Sequence, residues 1–343
     1  MNLDKKIFES KAIFVFSDPA GANVVFSLID NLISAQKVYK KDFLIFTDKH
    51  NSFEEKYNSF VQRINFSEKK AYNIFNSFKP NYIFCGTSIN NFEHQWRKFY
   101  LNKIKVYSFI DHWTNYYKRF SFNNEVCFGD EIWVLDDLAR KEAISEGIPE
   151  GIIKITGNPY YEKVKLFSPD ISKREFFNKL NLNEKKKTIL FISDDIKLNF
   201  GKDNYGNCIL GYDEYSILEE ILFCFETLKI KGKIKFSDYQ LVIKIHPQAE
   251  VNKFNHILHD IISDKIETKV IKFCDSLMLN YFSDYVVGMF SNMVIESYLM
   301  QKKLLRVQIG QIGQDLIKMR ILKNKVIVKR QDLYKKMKNF LSK

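Results

Sequence analysis

Short runs of β-branched and aromatic residues alternate with longer amphipathic stretches, the pattern of βα units built around parallel sheets. In the first half, apolar runs at 12–16, 43–47, 82–85, 106–110, 131–135 and 152–156 predict strands, each followed by polar or glycine-containing turn residues. Stretches such as 22–35 and 137–146 predict connecting helices. A charged stretch at 168–187 interrupts the series, and 188–192 begins a second one with strands at 241–245, 270–273, 285–287, 304–307 and 326–328. Helices are expected near 215–228, 253–262 and 291–300, and a basic one at 331–343. The expected fold class is α/β, with two Rossmann-like domains facing a cleft: 1–167, a linker region 168–187, and 188–330. No tandem repeat of short period and no low-complexity linker interrupts this plan.

Composition narrows the class. A chain of 343 residues is long enough for two domains at roughly 150 residues each. Hydrophobic residues at 45% and charged residues at 27% exclude disordered and fibrous chains. No run approaches the roughly 18 to 20 apolar residues that a membrane span needs, and the start, Met1-Asn2-Leu3-Asp4-Lys5-Lys6, lacks the apolar region of a signal peptide. The expectation is a cytoplasmic protein. Cys85, Cys127, Cys208, Cys224 and Cys274 show neither a disulfide framework nor zinc-ligand spacing, so buried thiols are expected and no metal or cofactor is implied. The net charge of +12 favours anionic partners: nucleic acid, a phosphorylated small molecule or a lipid surface. Lysine runs read first as solvated surface. If the charge serves a membrane-apposed acceptor, 330–343 and 37–41 are the segments to contact anionic lipid.

Ligands of open parallel sheets bind beyond the carboxyl ends of the strands, so the residues there are the functional candidates. After the first strand comes Ser17-Asp18-Pro19-Ala20-Gly21-Ala22-Asn23. Gly21 permits close backbone approach and the helix start offers amides to an anion, while Asp18 reads either as a functional carboxylate or as a helix cap. The fourth strand ends in Asp111-His112-Trp113, followed by Tyr116, Tyr117, Lys118 and Arg119. An acid, an imidazole and aromatics suit sugar binding or proton transfer, and a buried structural His–Asp pair is the alternative. Trp96, Tyr116 and Tyr117 can line an acceptor side, though packing explains any one of them.

In the second half, strand ends carry Ser193-Asp194-Asp195 and Lys244-Ile245-His246-Pro247. Lys244 and His246, two apart on a strand, face the same way and can address one ligand. Then follows Gly288-Met289-Phe290-Ser291-Asn292-Met293-Val294-Ile295-Glu296, a strand end, a glycine turn and a helix start. Its amides and the Ser291 hydroxyl suit a phosphate, and Glu296 can reach back toward a ribose diol. Ser291 as a plain N-cap is the alternative.

The order of a Lys-x-His-Pro strand end and a Gly-x-x-Ser-Asn helix start with a downstream glutamate resembles the nucleotide-binding half of glycosyltransferases with the B-type two-domain fold (GT-B). It is most similar to bacterial sialyltransferases and to the Kdo and other nonulosonate transferases, whose His-Pro and paired Ser/Thr motifs hold the CMP phosphate. The motifs cover about 188–310. Asp194-Asp195 resembles the acidic motif of that group with Ile196 in place of its glycine, and Asn292 stands where a second Ser/Thr would be.

The resemblance implies inverting, metal-independent transfer of a sugar, a nonulosonate from a CMP donor, to the hydroxyl of a glycan, lipid-linked or protein acceptor in surface-glycan biosynthesis. It implies His246 as acid or charge partner of the departing phosphate, Lys244 and Ser291 as its supports, Glu296 on the ribose, and Asp18 ahead of Asp111 as base. A nucleotide-sugar 2-epimerase shares the fold and is the closest enzymatic alternative, and a CDP-glycerol-type polymer transferase is another. An RNA-binding protein fits the charge, but neither an RNP element nor a GXXG loop is present, so nucleic acid is not an expected partner.

Overall fold

The computed structural model describes residues 11–34, 42–48, 61–247, 249–260, 266–319, 322 and 326–341. The basic stretch 37–41 lies outside them. The chain forms two compact units, Met1–Lys163 and Val164–Lys343.

In the first unit the elements run β1 (Ala12–Val15), α1 (Pro19–Ser34), β2 (Phe43–Thr47), β3 (Val61–Arg63), α2 (Glu68–Phe78), β4 (Tyr82–Cys85), α3 (Asn91–Tyr100) and β5 (Lys105–Phe109). A small hairpin, β6 (Ser121–Phe122) and β7 (Glu125–Val126), precedes β8 (Glu131–Val134), α4 (Asp137–Ser145) and β9 (Ile153–Ile155), and α5 (Pro159–Lys165) carries the chain past the end of this unit at Lys163. Seven strands form one parallel sheet in the order β3-β2-β1-β4-β5-β8-β9. Central strands are buried at every position, as parallel strands covered on both faces must be. On one face Ile13, Val15, Phe46, Ile83 and Val106 pack against Phe92, Trp96 and Tyr100 of α3, with Trp96 stacked on Phe46 at 4.9 Å.

The second unit continues with α6 (Lys173–Lys179), β10 (Lys187–Ile192), α7 (Ile196–Asn199), α8 (Glu214–Ile230), β11 (Tyr239–Lys244), α9 (Asn255–Asp260) and β12 (Glu267–Ile271). It ends with α10 (Ser276–Phe282), β13 (Tyr285–Gly288), α11 (Asn292–Leu299), β14 (Lys303–Val307), β15 (Val326–Ile327) and α12 (Arg330–Leu341). Six parallel strands lie in the order β12-β11-β10-β13-β14-β15. The stretch 168–187, expected as a linker, instead folds onto this unit: α6 buries Phe176 and Phe177, whose rings meet Phe282 of α10. Its charged residues had masked that aromatic pair. The basic α12 docks through Leu333, Met337 and Leu341, spaced at i, i+4 and i+8, and leaves Lys335, Lys336 and Lys338 outside.

In both sheets the strand order turns back beside the first strand, between β1 and β4 and between β10 and β13. These are topological switch points, where connections leave in opposite directions and open a crevice at the carboxyl ends. No helix among the described residues is long and apolar enough to cross a membrane. All five cysteines are free thiols, with Cys85, Cys127 and Cys224 buried and Cys208 and Cys274 partly so.

Candidate functional site

At the switch point of the first unit, Asp18 follows β1 and caps α1: its Oδ1 accepts the Gly21 amide at 2.7 Å. A Cβ on Gly21 would stand 3.1 Å from that oxygen, so a small residue is needed for the carboxylate to reach the helix start. Its other oxygen accepts no hydrogen bond among the described residues. Burial, then the negative charge of Asp111, push the Asp18 carboxyl up to about 7, against the pull of the Gly21 amide and of Arg119. It can therefore take or give a proton at neutral pH.

Asp111, at the end of β5, is ion-paired with Arg119 at 3.3 Å. The same guanidinium donates to the Thr87 carbonyl at 2.8 Å and, through Nε, to the Thr114 carbonyl at 3.1 Å, joining the ends of β4 and β5. Nδ1 of His112 lies 3.2 Å from Thr114 Oγ1. Asp18, Asp111 and Gly21 thus come together, with His112 on the adjoining loop. Trp96 and Tyr116 are fully buried and serve packing, whereas Tyr117 is partly exposed.

At the second switch point, Asp194 reaches from the end of β10 to the turn after β13, where its Oδ2 accepts the Phe290 amide at 3.3 Å. Burial raises this carboxyl too, to about 7, with the Phe290 amide opposing. Ser291 caps α11, its hydroxyl accepting the Met293 amide at 3.4 Å, and Asn292 beside it is exposed. A Cβ at Gly288 would sit 2.7 Å from Val294 Cγ2, so the strand end and the helix pack closely only because no side chain intervenes. Glu296 is buried and accepts from Asn280 of α10 at 3.3 Å.

His246 is half-buried and Pro247 exposed at the end of β11. Burial lowers the imidazole pKa, partly offset by Asp195, so the neutral ring is favoured. Lys244 is buried, and its ammonium donates to the Ile245 and Lys272 carbonyls at 2.9 Å each, clipping two strand ends together beside His246.

Several residues escaped sequence reasoning. Lys253 bridges Asp195 and Glu214 at 3.0 Å each in a buried cluster that holds the loop after β10. Arg306, fully buried on β14, donates to the Met289 carbonyl at 3.0 Å and forms a two-pronged pair with Asp315, fixing the turn before α11. Glu93 and Arg97 lie on the buried face of α3. Two charges in an apolar helix stripe, and an arginine in the run Leu304-Leu305-Arg306-Val307, are the signals that would have found them. Lys253 and Glu214 carry none. Among the described residues no group of three or more His, Cys, Asp or Glu is placed to hold a metal ion. An open groove of about 720 Å³ in the first unit lies where β4 and β5 begin, lined by Asn81, Lys103 and Lys105, away from the switch point and from the predicted residues.

The two units define an α/β protein with a GT-B-like fold. Solved structures share it. Over 97% of this chain and 88% of its own, Staphylococcus aureus MnaA with UDP superposes with a TM-score of 0.62 at 15% identity. UDP-GlcNAc 2-epimerase of Methanocaldococcus jannaschii gives 0.63 at 15% identity, over 97% and 93% of the two chains. Anabaena HepE with UDP and glucose gives 0.62 at 10% identity, over 97% and 90%. At these identities the likeness is one of fold. No family model matches the sequence, and no curated protein does.

Proposed function

We propose that this chain is a nucleotide-sugar enzyme that takes a UDP-sugar and carries out acid–base chemistry on the sugar, with epimerisation next to the anomeric carbon as the reaction. The observation that carries the reading is Asp18. Inverting the carbon next to the anomeric one takes off its proton as the freed electron pair expels UDP from the anomeric carbon, then returns a proton to the other face as UDP re-adds. A carboxyl titrating near 7 beside the Asp111–Arg119 pair can serve either proton transfer at neutral pH. The nucleotide belongs to the second unit, with Ser291 and the start of α11 on the phosphates, His246 beside them, and Glu296 toward the ribose. S. aureus MnaA and Anabaena HepE, both of similar fold, are solved with UDP, which supports UDP ahead of the CMP that the motifs suggested. The link to their activities is analogy of fold.

Glycosyl transfer is the second reading. HepE, of similar fold, is complexed with UDP and glucose, the two fragments left when a UDP-glucose bond is cleaved. Here ionised Asp18 would take the proton of an acceptor hydroxyl.

One experiment separates the readings: proton NMR of UDP-GlcNAc and UDP-glucose with the protein in D2O, beside a thermal-shift panel of UDP, CMP, CDP and GDP. Solvent deuterium entering the sugar while the nucleotide sugar stays intact is expected and marks epimerisation. UDP release that requires an acceptor, without exchange, marks transfer. No stabilisation by UDP and no turnover of either sugar would overturn the proposal.

A further inference from the structure

Helix α3 bears no motif, yet it organises the end of the first sheet. Glu93, fully buried, accepts the Ser17 amide at 3.0 Å and the Ser88 amide at 3.4 Å on one oxygen, and the Ser88 hydroxyl on the other. Asn90, which caps the same helix, donates to the Ser17 hydroxyl. Arg97, one turn on, donates to the Gly86 and Arg119 carbonyls at 3.0 Å each. A buried carboxylate is costly unless well bonded, and an amide could accept the same backbone donors. Burial pushes the Glu93 carboxyl up, while the Ser88 hydroxyl and Arg97 pull it back toward the ionised form, and Asp18 adjoins Ser17.

We propose that Glu93 is the positioning residue of this site: its carboxylate locks the Ser17–Asp18 turn to the Gly86–Ser88 turn and sets both the placement and the protonation of Asp18. This rests on the role given to Asp18 above. The charged groups facing Asp18 are Asp111 from the end of β5, Glu93 from α3 and Arg119 from the turn before β6, together with the Gly21 amide of α1. Asp111 and Glu93 favour the protonated form, and Arg119 and the amide favour the ionised one.

Glu93→Gln keeps an oxygen for the Ser17 amide and removes the charge. Glu93→Asp keeps the charge and shortens the reach. Carbon-detected NMR titration of the Asp18 carboxyl in the full-length protein should show its midpoint falling by about 0.5 pH unit or more in Glu93→Gln. The rising limb of kcat/KM should move toward acid by the same amount. In Glu93→Asp the midpoint should stay high while kcat drops by about 10-fold or more from misplacement. Variants that lower only the melting temperature, with the Asp18 midpoint, pH profile and kcat unmoved, would overturn the proposal. Asp18→Asn separates the two ideas: full activity in it refutes the acid–base reading, whereas the Asp18 titration in Glu93→Gln still decides the role of Glu93.

Discussion

Asp18 shows how one side chain joins two tasks that the sequence offered as alternatives. One oxygen caps α1, and burial beside Asp111 holds the carboxyl near 7. Because its folded pKa is raised above the usual value near 4, the folded chain holds more protons than the unfolded chain across that window. Stability contributed by this group is thus present below about pH 4 and is lost as pH rises to about 7, with an upper bound on the order of 4 kcal/mol. Asp18→Asn should flatten the fall of melting temperature between pH 4 and 7, leaving the share due to Asp194, and should cut turnover by about 10² to 10⁴. A melting curve as steep as that of the parent protein would show that the carboxyl is not raised. His246→Ala should lower turnover by about 10² or more with the melting temperature nearly kept, which steady-state kinetics and thermal scans check together. The sequence exposed Asp18, Asp111, His246 and Ser291 because each follows an apolar run. It hid Lys253, which lies in a polar stretch and gains meaning only from partners far along the chain, and marked Glu93 only as a charge within an apolar helix stripe.

Among the elements, strands were the most legible. Buried parallel strands read as unbroken apolar runs, and their predicted bounds differ from the observed ones by a residue or two. Helix starts were marked by capping residues such as Asp136, Asp213 and Ser291. Edge strand β3, largely exposed and polar, gave no such pattern. The β6–β7 hairpin carries a signal in Asn123-Asn124, both with positive φ, which suits asparagine in a tight turn. The turn from β13 to α11 depends on a contact no local pattern shows, the Arg306–Asp315 pair holding the Met289 carbonyl. Asp315→Ala leaves the buried guanidinium uncompensated and should cost about 3–5 kcal/mol in urea unfolding. A loss below about 1 kcal/mol would show that the pair does not hold the turn. Weaker UDP binding should accompany the loss if that turn holds phosphate.

For the whole molecule, charge raises the question of a surface partner. The apolar side of α12 is committed to the second core, so this helix cannot insert into lipid and offers Lys335, Lys336 and Lys338, beside Arg330, which is paired with Glu220. Three lysines contribute roughly 3 kcal/mol at an anionic surface. Co-sedimentation with anionic vesicles should therefore be lost at about 1 M salt, where screening shortens to about 3 Å, and should weaken when the three are changed to glutamate. Binding to neutral vesicles, or none to either kind, would refute a membrane role for this helix.

What the sequence determined by itself was the α/β class, the two-part series of strands and the strand ends at which to look, because the period of apolar residues and the chemistry of turns are local properties. The tertiary structure decided the rest. Strand order created the switch points, so Asp18 met Asp111 and Arg119, and Asp194 met Phe290, across gaps of many residues. It turned Lys244 to backbone carbonyls and made the supposed linker part of a core, since the partners of a buried charge or an aromatic ring are set by packing rather than by neighbours in the chain.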